Sequence, residues 1–273
     1  MNAAADWFVS RGGVAAPAAR IFCFPHAGGS PRAFLGWQDG LGGEAEILAV
    51  CRPGREHRAA EPAPSIGALI AGAAAAIAAV TQVDNRPYYL FGHSLGALVA
   101  FEVCRLLAGT VTPEHGAAGQ VRPAERGAAP RHLVASGCSA PSLLPSARVR
   151  RIAQLTGREF AVEIGFFGGL PAEVIADEYM LELLLPGVIA DFNMAVGYRY
   201  QPGPRLPVPA TLVVGRDDPH VKTAQLEPWG GEFVQPPDCR WVDGGHFYFE
   251  PRPAAVLDIL RSVVQADQHV ELI

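Results

Sequence analysis

Short, almost wholly apolar runs punctuate the chain, and between them lie longer stretches whose apolar residues recur at helical spacing. Ile21–Phe24, Ile47–Val50, Tyr88–Phe91, His132–Ser136, Thr211–Val214 and Arg240–Val242 predict strands, most of them four or five residues long. Runs this short, with little polar alternation, are the pattern of strands covered on both faces. Helical patterns occupy Ile66–Val80, Leu95–Leu107 and Ala254–Val264. In the second, Leu95, Leu98, Val99, Val103 and Leu106 make one stripe that would seat the helix on a sheet. Strand and helix in alternation predict an α/β fold, a mostly parallel central sheet flanked by helices. No repeat at solenoid spacing is present.

Two segments break the rhythm. Thr110–Pro130 is rich in Gly, Ala, Pro and charge, has no period, and reads as a mobile surface loop. Residues 145–200 separate two predicted strands by far more than a normal crossover. They hold helix-like pieces at Val149–Leu155, Pro171–Leu185 and Val188–Tyr198, and read as a helical lid over the sheet edge. The plainer alternative is a pair of crossover helices that grew. Phe160, Ile164, Phe166, Phe167 and Leu170 favour the lid, because they are placed to line an apolar channel. The chain is thus expected to be one domain, 1–273, with the insertion inside it.

Composition narrows the function classes. Of 273 residues 49% are hydrophobic and 18% charged, enough apolar surface for a core and too much for disorder. A net charge of −5 argues against nucleic acid as a partner. The apolar run Ala68–Val80 is too short for a bilayer, and Met1–Ser10 does not read as a secretory leader, so a soluble cytoplasmic protein is expected, with no membrane partner. The five cysteines are scattered and never spaced C-x-x-C; the eight histidines form no i, i+4 pair. Neither a disulfide framework nor a metal site is expected.

The sharpest motif is Phe91-Gly92-His93-Ser94-Leu95-Gly96, a G-x-S-x-G directly after a predicted strand and directly before a helix. A nucleophilic serine at such an elbow sits on a tight, strained turn that needs small neighbours. The competing reading makes Ser94 a simple helix cap. A serine nucleophile needs a base, and the base an orienting acid, in chain order Ser, acid, His at strand ends. His246, in Asp243-Gly244-Gly245-His246-Phe247, follows the last predicted strand and fits the base. His93 and His26 fit worse and read as structural. In Gly215-Arg216-Asp217-Asp218-Pro219 the acid is Asp218, with Asp217 the alternative; either could be a plain turn residue. Oxyanion donors are expected from the N–H of Leu95 and from the loop Pro25-His26-Ala27-Gly28-Gly29-Ser30, with Ala27 first and Gly28 as its alternative.

Taken together, these pieces resemble the stand-alone type II thioesterases that accompany polyketide synthases and nonribosomal peptide synthetases, enzymes of the α/β-hydrolase fold. The resemblance rests on Phe22-Cys23-Phe24-Pro25-His26-Ala27-Gly28-Gly29-Ser30, Pro53-Gly54-Arg55-Glu56 and the elbow through Ala97. It continues through Gly168-Gly169-Leu170-Pro171, Asp191-Phe192 with Tyr198-Arg199-Tyr200, Gly215–Pro219 and Gly244–Phe247. The loop Thr110–Pro130 is longer than the family pattern. The resemblance implies a triad of Ser94, Asp218 and His246, and an oxyanion hole from Ala27 and Leu95. It implies hydrolysis of acyl thioesters on the phosphopantetheine arms of acyl or peptidyl carrier proteins in antibiotic biosynthesis, by a monomer needing no cofactor of its own. Carrier proteins are usually acidic, so Arg148, Arg150, Arg151 and Arg158 at the start of the lid are candidate docking residues, against a reading as solvated helix charge. The alternatives are a small-molecule carboxylesterase or lipase of the same fold, and a silent acyl-binding protein. The triad alone does not separate thioesterase from esterase.

Overall fold

A computed structural model describes residues 4–14, 16–111, 128–165, 168–250 and 252–270. Its strands are β1 (Phe8–Val9), β2 (Ala19–Phe24), β3 (Ala45–Val50), β4 (Tyr88–His93), β5 (His132–Ser136), β6 (Ala210–Gly215) and β7 (Asp238–Val242). Its helices are α1 (Trp37–Leu41), α2 (Ile66–Thr81), α3 (Leu95–Leu107), α4 (Ala147–Ile152), α5 (Gly157–Gly165), α6 (Ala172–Ala176), α7 (Glu178–Val196), α8 (Thr223–Leu226) and α9 (Ala254–Val270). The strands lie in the order β1-β3-β2-β4-β5-β6-β7. All neighbours run parallel except β1, which pairs antiparallel with β3.

The apolar strands serve two cores at once. Along β2, Phe22 and Phe24 face one side, with Leu69, Ile77, Leu98 and Phe101 of α2 and α3. Ile21 and Cys23 face the other, with Trp37 of α1 and Val256, Leu257 and Leu260 of α9. β4 divides likewise, Tyr88 and Leu90 against Tyr89 and Phe91. Because side chains alternate across a strand, burial on both faces writes an unbroken apolar run. The parallel register, with Phe24 opposite Gly92, His93 opposite Ser136 and Gly215 opposite Val242, brings the carboxyl ends to one edge. In open α/β sheets that edge carries the site.

The insertion differs from its sequence reading in detail. It holds four helices with a small core of their own: Ile152, Phe160, Ala161, Ile164, Leu181 and Leu185. The expected helix Pro171–Leu185 is broken at Asp177, whose carboxylate accepts from the Met180 N–H at 3.1 Å and starts a new helix there. The next expected helix, from Val188, is the same α7 continued through Pro186, because packing of Leu181 and Leu185 holds the helix across the missing N–H. α5, which buries Phe160, Ala161 and Ile164, has no counterpart among the expected helices; it is only nine residues long and begins and ends on glycine, a poor helix former. Among the described residues α7 is the one helix long and apolar enough by composition to cross a membrane. Its buried Asp191 is instead engaged with loops of the sheet edge. Most of the expected surface loop, residues 112–127, lies outside the described residues.

Candidate active site

Ser94 sits between β4 and α3 at φ 54°, ψ −117°, a backbone conformation costly for any residue with a side chain. Its N–H is fixed to the Ser136 carbonyl at 2.8 Å, and its side chain caps nothing, so the reading of Ser94 as a helix cap is set aside. The flanking glycines are demanded by close approach. A Cβ on Gly92 would overlap the Gly96 carbonyl, and one on Gly96 would overlap the carbonyls of Phe24 and Pro25. α3 therefore presses directly against the end of β2, and the serine is raised on the tight corner between β4 and α3.

Across the edge, β6 and β7 deliver an acid and an imidazole. Gly215 carries no side chain where a Cβ would strike the carbonyls of Gly244 and Gly245, so the loop after β7 folds down over the end of β6. The Asp217 N–H ties the two loops through the Gly244 carbonyl at 3.0 Å, and its side chain stays exposed. Asp218 instead turns inward, 1% exposed, with Oδ2 2.8 Å from His246 Nδ1. Its Oδ1 accepts from the N–H groups of His220 (2.7 Å) and Val221 (3.3 Å). Burial pushes this carboxyl upward, but the hydrogen bond and charge of His246 and the His220 N–H outweigh it, leaving the group below its ordinary range. A carboxylate can only accept, so Nδ1 carries the proton and the neutral ring keeps its lone pair on Nε2. Asp243 is occupied elsewhere, 3.1 Å from Arg216.

The other two histidines play the structural parts expected of them. His93 is fully buried, its Nδ1 2.8 Å from Ser136 Oγ, which in turn lies 2.6 Å from the Tyr248 hydroxyl. Burial, with His246 and His26 nearby, holds His93 neutral far below its ordinary value. Its ring lies 4.8 Å from that of His246 and forms the floor beneath it. His26 Nδ1 donates to the Ala27 carbonyl at 2.8 Å, and burial lowers its pKa to about 4.

Ser94, Leu95, Ala27, Gly28 and His246 all line one cleft of about 950 Å³. Its far wall is the insertion, contributing Ile164, Leu170, Leu183, Leu184, Val188 and Phe192, and the rest is mixed with polar groups at the sheet edge. Such an apolar cavity with a few convergent polar groups is the usual form of a small-molecule site. The Gly28 N–H is already spent, donating to Asp191 Oδ2 at 2.7 Å, which leaves Ala27 as the loop residue whose N–H can serve the cleft.

A family model described as "Thioesterase domain" matches residues 19–263. The chain belongs to the thioesterase family. The thioesterase is similar to "Thioesterase PikA5" of Streptomyces venezuelae, 35% identical over 85% of this chain and 75% of that protein. Among solved structures it is similar to the RedJ thioesterase of the prodiginine biosynthetic pathway in Streptomyces coelicolor. That match has a TM-score of 0.75 and 30% identity over 92% of this chain and 87% of that one. It is also similar to YbtT, a type II thioesterase from the yersiniabactin NRPS/PKS pathway, with a TM-score of 0.74 and 28% identity over 92% and 94%. The protein is an α/β-hydrolase that acts on thioesters as a serine hydrolase.

One reading of the thioesterase's insertion changes. Phe160 does not line the channel: it is fully buried in the insertion's own core, edge-on to Phe192 at 5.3 Å, whereas Ile164, one turn further along the same helix, reaches the cleft. Phe166 and Phe167 lie outside the described residues. Of the four arginines, Arg148 and Arg151 approach Glu163 at 3.8 and 3.0 Å, Arg148 also lines the cleft, and Arg150, Arg151 and Arg158 are all exposed. The sequence named Asp191 and Arg55 only as parts of the resemblance, with no role, and did not point to Arg52; what it missed is that the three form one cluster. An acid in the middle of an apolar helix was the available signal.

Proposed function

We propose that Ser94, His246 and Asp218 act as nucleophile, base and orienting acid of an editing thioesterase, with the N–H groups of Ala27 and Leu95 as its oxyanion hole. The substrate is an acyl group carried on the phosphopantetheine arm of a polyketide or nonribosomal-peptide carrier protein. The observation that carries this reading is the buried 2.8 Å Asp218–His246 pair, whose imidazole lines the same cleft as a serine on a strained elbow. Similarity over more than nine-tenths of both chains to a type II thioesterase of an NRPS/PKS pathway supports the substrate class.

Ser94 Oγ attacks the thioester carbonyl as His246 Nε2 takes its proton, and the oxyanion forms against the two N–H groups and the amino end of α3. The carbon–sulfur bond then breaks. The conjugate thiol has a pKa of about 8.5, so the thiolate leaves readily. The acyl group stays on Ser94, and the proton held on His246 Nε2 passes to the departing sulfur, which leaves the imidazole neutral for the next step. Water attacks the ester, His246 takes a proton from it, and the free acid leaves as Ser94 recovers its own. The phosphopantetheine arrives on the substrate, and the sequence of steps draws on no resident cofactor. The apolar wall from Ile164 to Phe192 receives the acyl chain, and the exposed Arg150 and Arg158 guide the acidic carrier.

Intact-mass spectrometry of an acyl carrier protein before and after incubation tests the reading. The wild type is expected to return the free carrier thiol, and Ser94→Ala to lose turnover by a factor on the order of 10⁶. Unchanged hydrolysis by Ser94→Ala, or a strong preference for an oxygen ester over a thioester of equal chain length, overturns it.

A further inference from the structure

Asp191 is 5% exposed, yet its Oδ2 alone takes three hydrogen bonds: from Gly28 N–H (2.7 Å), Arg52 Nη2 (2.6 Å) and Arg55 Nη2 (2.7 Å). The same Arg52 nitrogen lies 3.3 Å from the His26 carbonyl and 3.4 Å from that of Gly29. Arg55 also donates to the Gly187 carbonyl of α7 at 2.6 Å. Residues 139 and 136 positions apart in sequence thus join an insertion helix to the loop after β3 and, through Gly28 and Arg52, to the loop after β2.

A trans peptide is planar, with its C=O and N–H pointing opposite ways. The His26 carbonyl is held by Arg52 and by the Gly29 N–H at 3.0 Å, so the N–H at the other end of that peptide, Ala27's, is aimed away from them. The next peptide is fixed at both ends, its carbonyl by the His26 ring and its N–H by Asp191. Ser30 Oγ donates to Glu56 at 2.8 Å and anchors the loop's far end. Burial lowers the pKa of Arg52, and the charge of Asp191 opposes that loss, so the arginine's seat depends on the acid.

We propose that Asp191 is a positioning residue: from α7, through Arg52 and the Gly28 N–H, it sets the direction of the Ala27 N–H, so that the oxyanion hole is complete only when this insertion helix is seated. Substrate that seats α7 is thereby coupled to the rate of its own acylation. The inference rests on the function proposed above and names a residue outside the triad.

The test compares two acyl-pantetheine analogues: a trifluoromethyl ketone, which adds to Ser94 and forms an oxyanion, and a thioether, which only fills the cleft. For Asp191→Ala the expected result is a fall in kcat and in trifluoromethyl ketone affinity by about the same factor, on the order of 10². KM and thioether affinity should change little. Asp191→Asn, still able to accept from Gly28, should recover part of both losses. Gly187→Ala keeps every charged residue, but its Cβ would occupy the place of the Arg55 guanidinium. It is expected to show the same selective loss more weakly, and decides the matter if Asp191→Ala does not fold. Equal weakening of both analogues, or of neither, overturns the proposal. A wild type inert toward acyl carrier protein instead overturns the proposed function, independently of these variants.

Discussion

The two walls of the cleft are built by different means. On the sheet side, Ser94 is placed by contacts between neighbouring elements: a strained residue, two glycines and backbone pressed against backbone. On the insertion side, a small separate core supports α7, which is pinned at Asp191 by side chains from far away in sequence. The first wall has no slack, since no rotamer relieves an overlap of main chains. The second rests on ion pairs and hydrogen bonds that can part and re-form. A fixed nucleophile facing a wall that can adjust fits the acyl-receiving role proposed above for the insertion.

Gly96→Ala should separate the walls most sharply. Its Cβ would run into the Phe24 and Pro25 carbonyls, forcing α3 off β2. We expect more than about 3 kcal/mol of destabilisation, above the usual cost of overpacking, and a fall in Tm of roughly 6–12 °C. Activity should vanish with it, because Ser94 moves with α3. Gly187→Ala on the opposite wall meets only the end of a flexible side chain and should cost under about 1 kcal/mol. Thermal denaturation of the pair checks this, and equal losses would show that the insertion is as rigidly placed as the elbow.

The same difference decided what could be read from sequence. The elbow and the imidazole are contiguous motifs beside apolar strands, so Ser94 and His246 could be nominated from a few residues. Asp217 and Asp218 are adjacent carboxylates, and only the turn that bonds the Asp218 N–H to the Gly215 carbonyl at 3.1 Å directs one of them inward. The Gly28 N–H is taken by a carboxylate more than 160 positions away, a contact that no local pattern contains and that favours Ala27 in the oxyanion hole proposed above. The sheet followed the same rule. Five strands, β2 to β6, were legible because they are buried along nearly their whole length. A short run also marked β7, though that edge strand is exposed over residues 238–240. β1, two half-buried residues on the other edge, has no period to show. In the insertion, Asp177 breaks one expected helix and Pro186 fails to break another, because capping and packing outweigh propensity there.

Acid should act on one wall only. His26, His132 and His220 have pKa values lowered to about 4 by burial, and burial holds His93 well below its ordinary value. All four belong to the sheet and its edge loops, and residues 145–200 contain no histidine. A lowered histidine binds its proton less readily folded than unfolded. Stability is therefore complete above about pH 6.5 and declines as pH falls toward 4, by up to about 1.4 kcal/mol per pH unit for each group and less for the half-buried His220. Asp218 adds its own loss only below the ordinary carboxylate range, as its depressed group protonates. Urea midpoints from pH 7 to pH 5 should fall, and His132→Gln, which loses a ring 2.9 Å from Thr211 Oγ1, should flatten that slope. An unchanged slope would mean that this imidazole is not held neutral.

The smallest expected effect lies on the outer face of the insertion and asks whether the adjustable wall also receives the carrier. Arg151 already faces Glu163 at 3.0 Å, so reversing its charge would create a repulsion inside the insertion and confuse docking with folding. Arg150 and Arg158 are exposed and avoid that fault. Rim charges act mainly on encounter and are screened by salt, each contributing less than about 1 kcal/mol. Arg150→Glu with Arg158→Glu should raise KM for an acyl carrier protein by roughly 3- to 10-fold at low ionic strength. Most of that rise should disappear near 0.5 M salt, where the screening length falls to about 4 Å. KM for a small acyl thioester, which carries no acidic surface, should stay constant throughout. If both substrates weaken together, these arginines shape the cleft and the carrier approaches by another face.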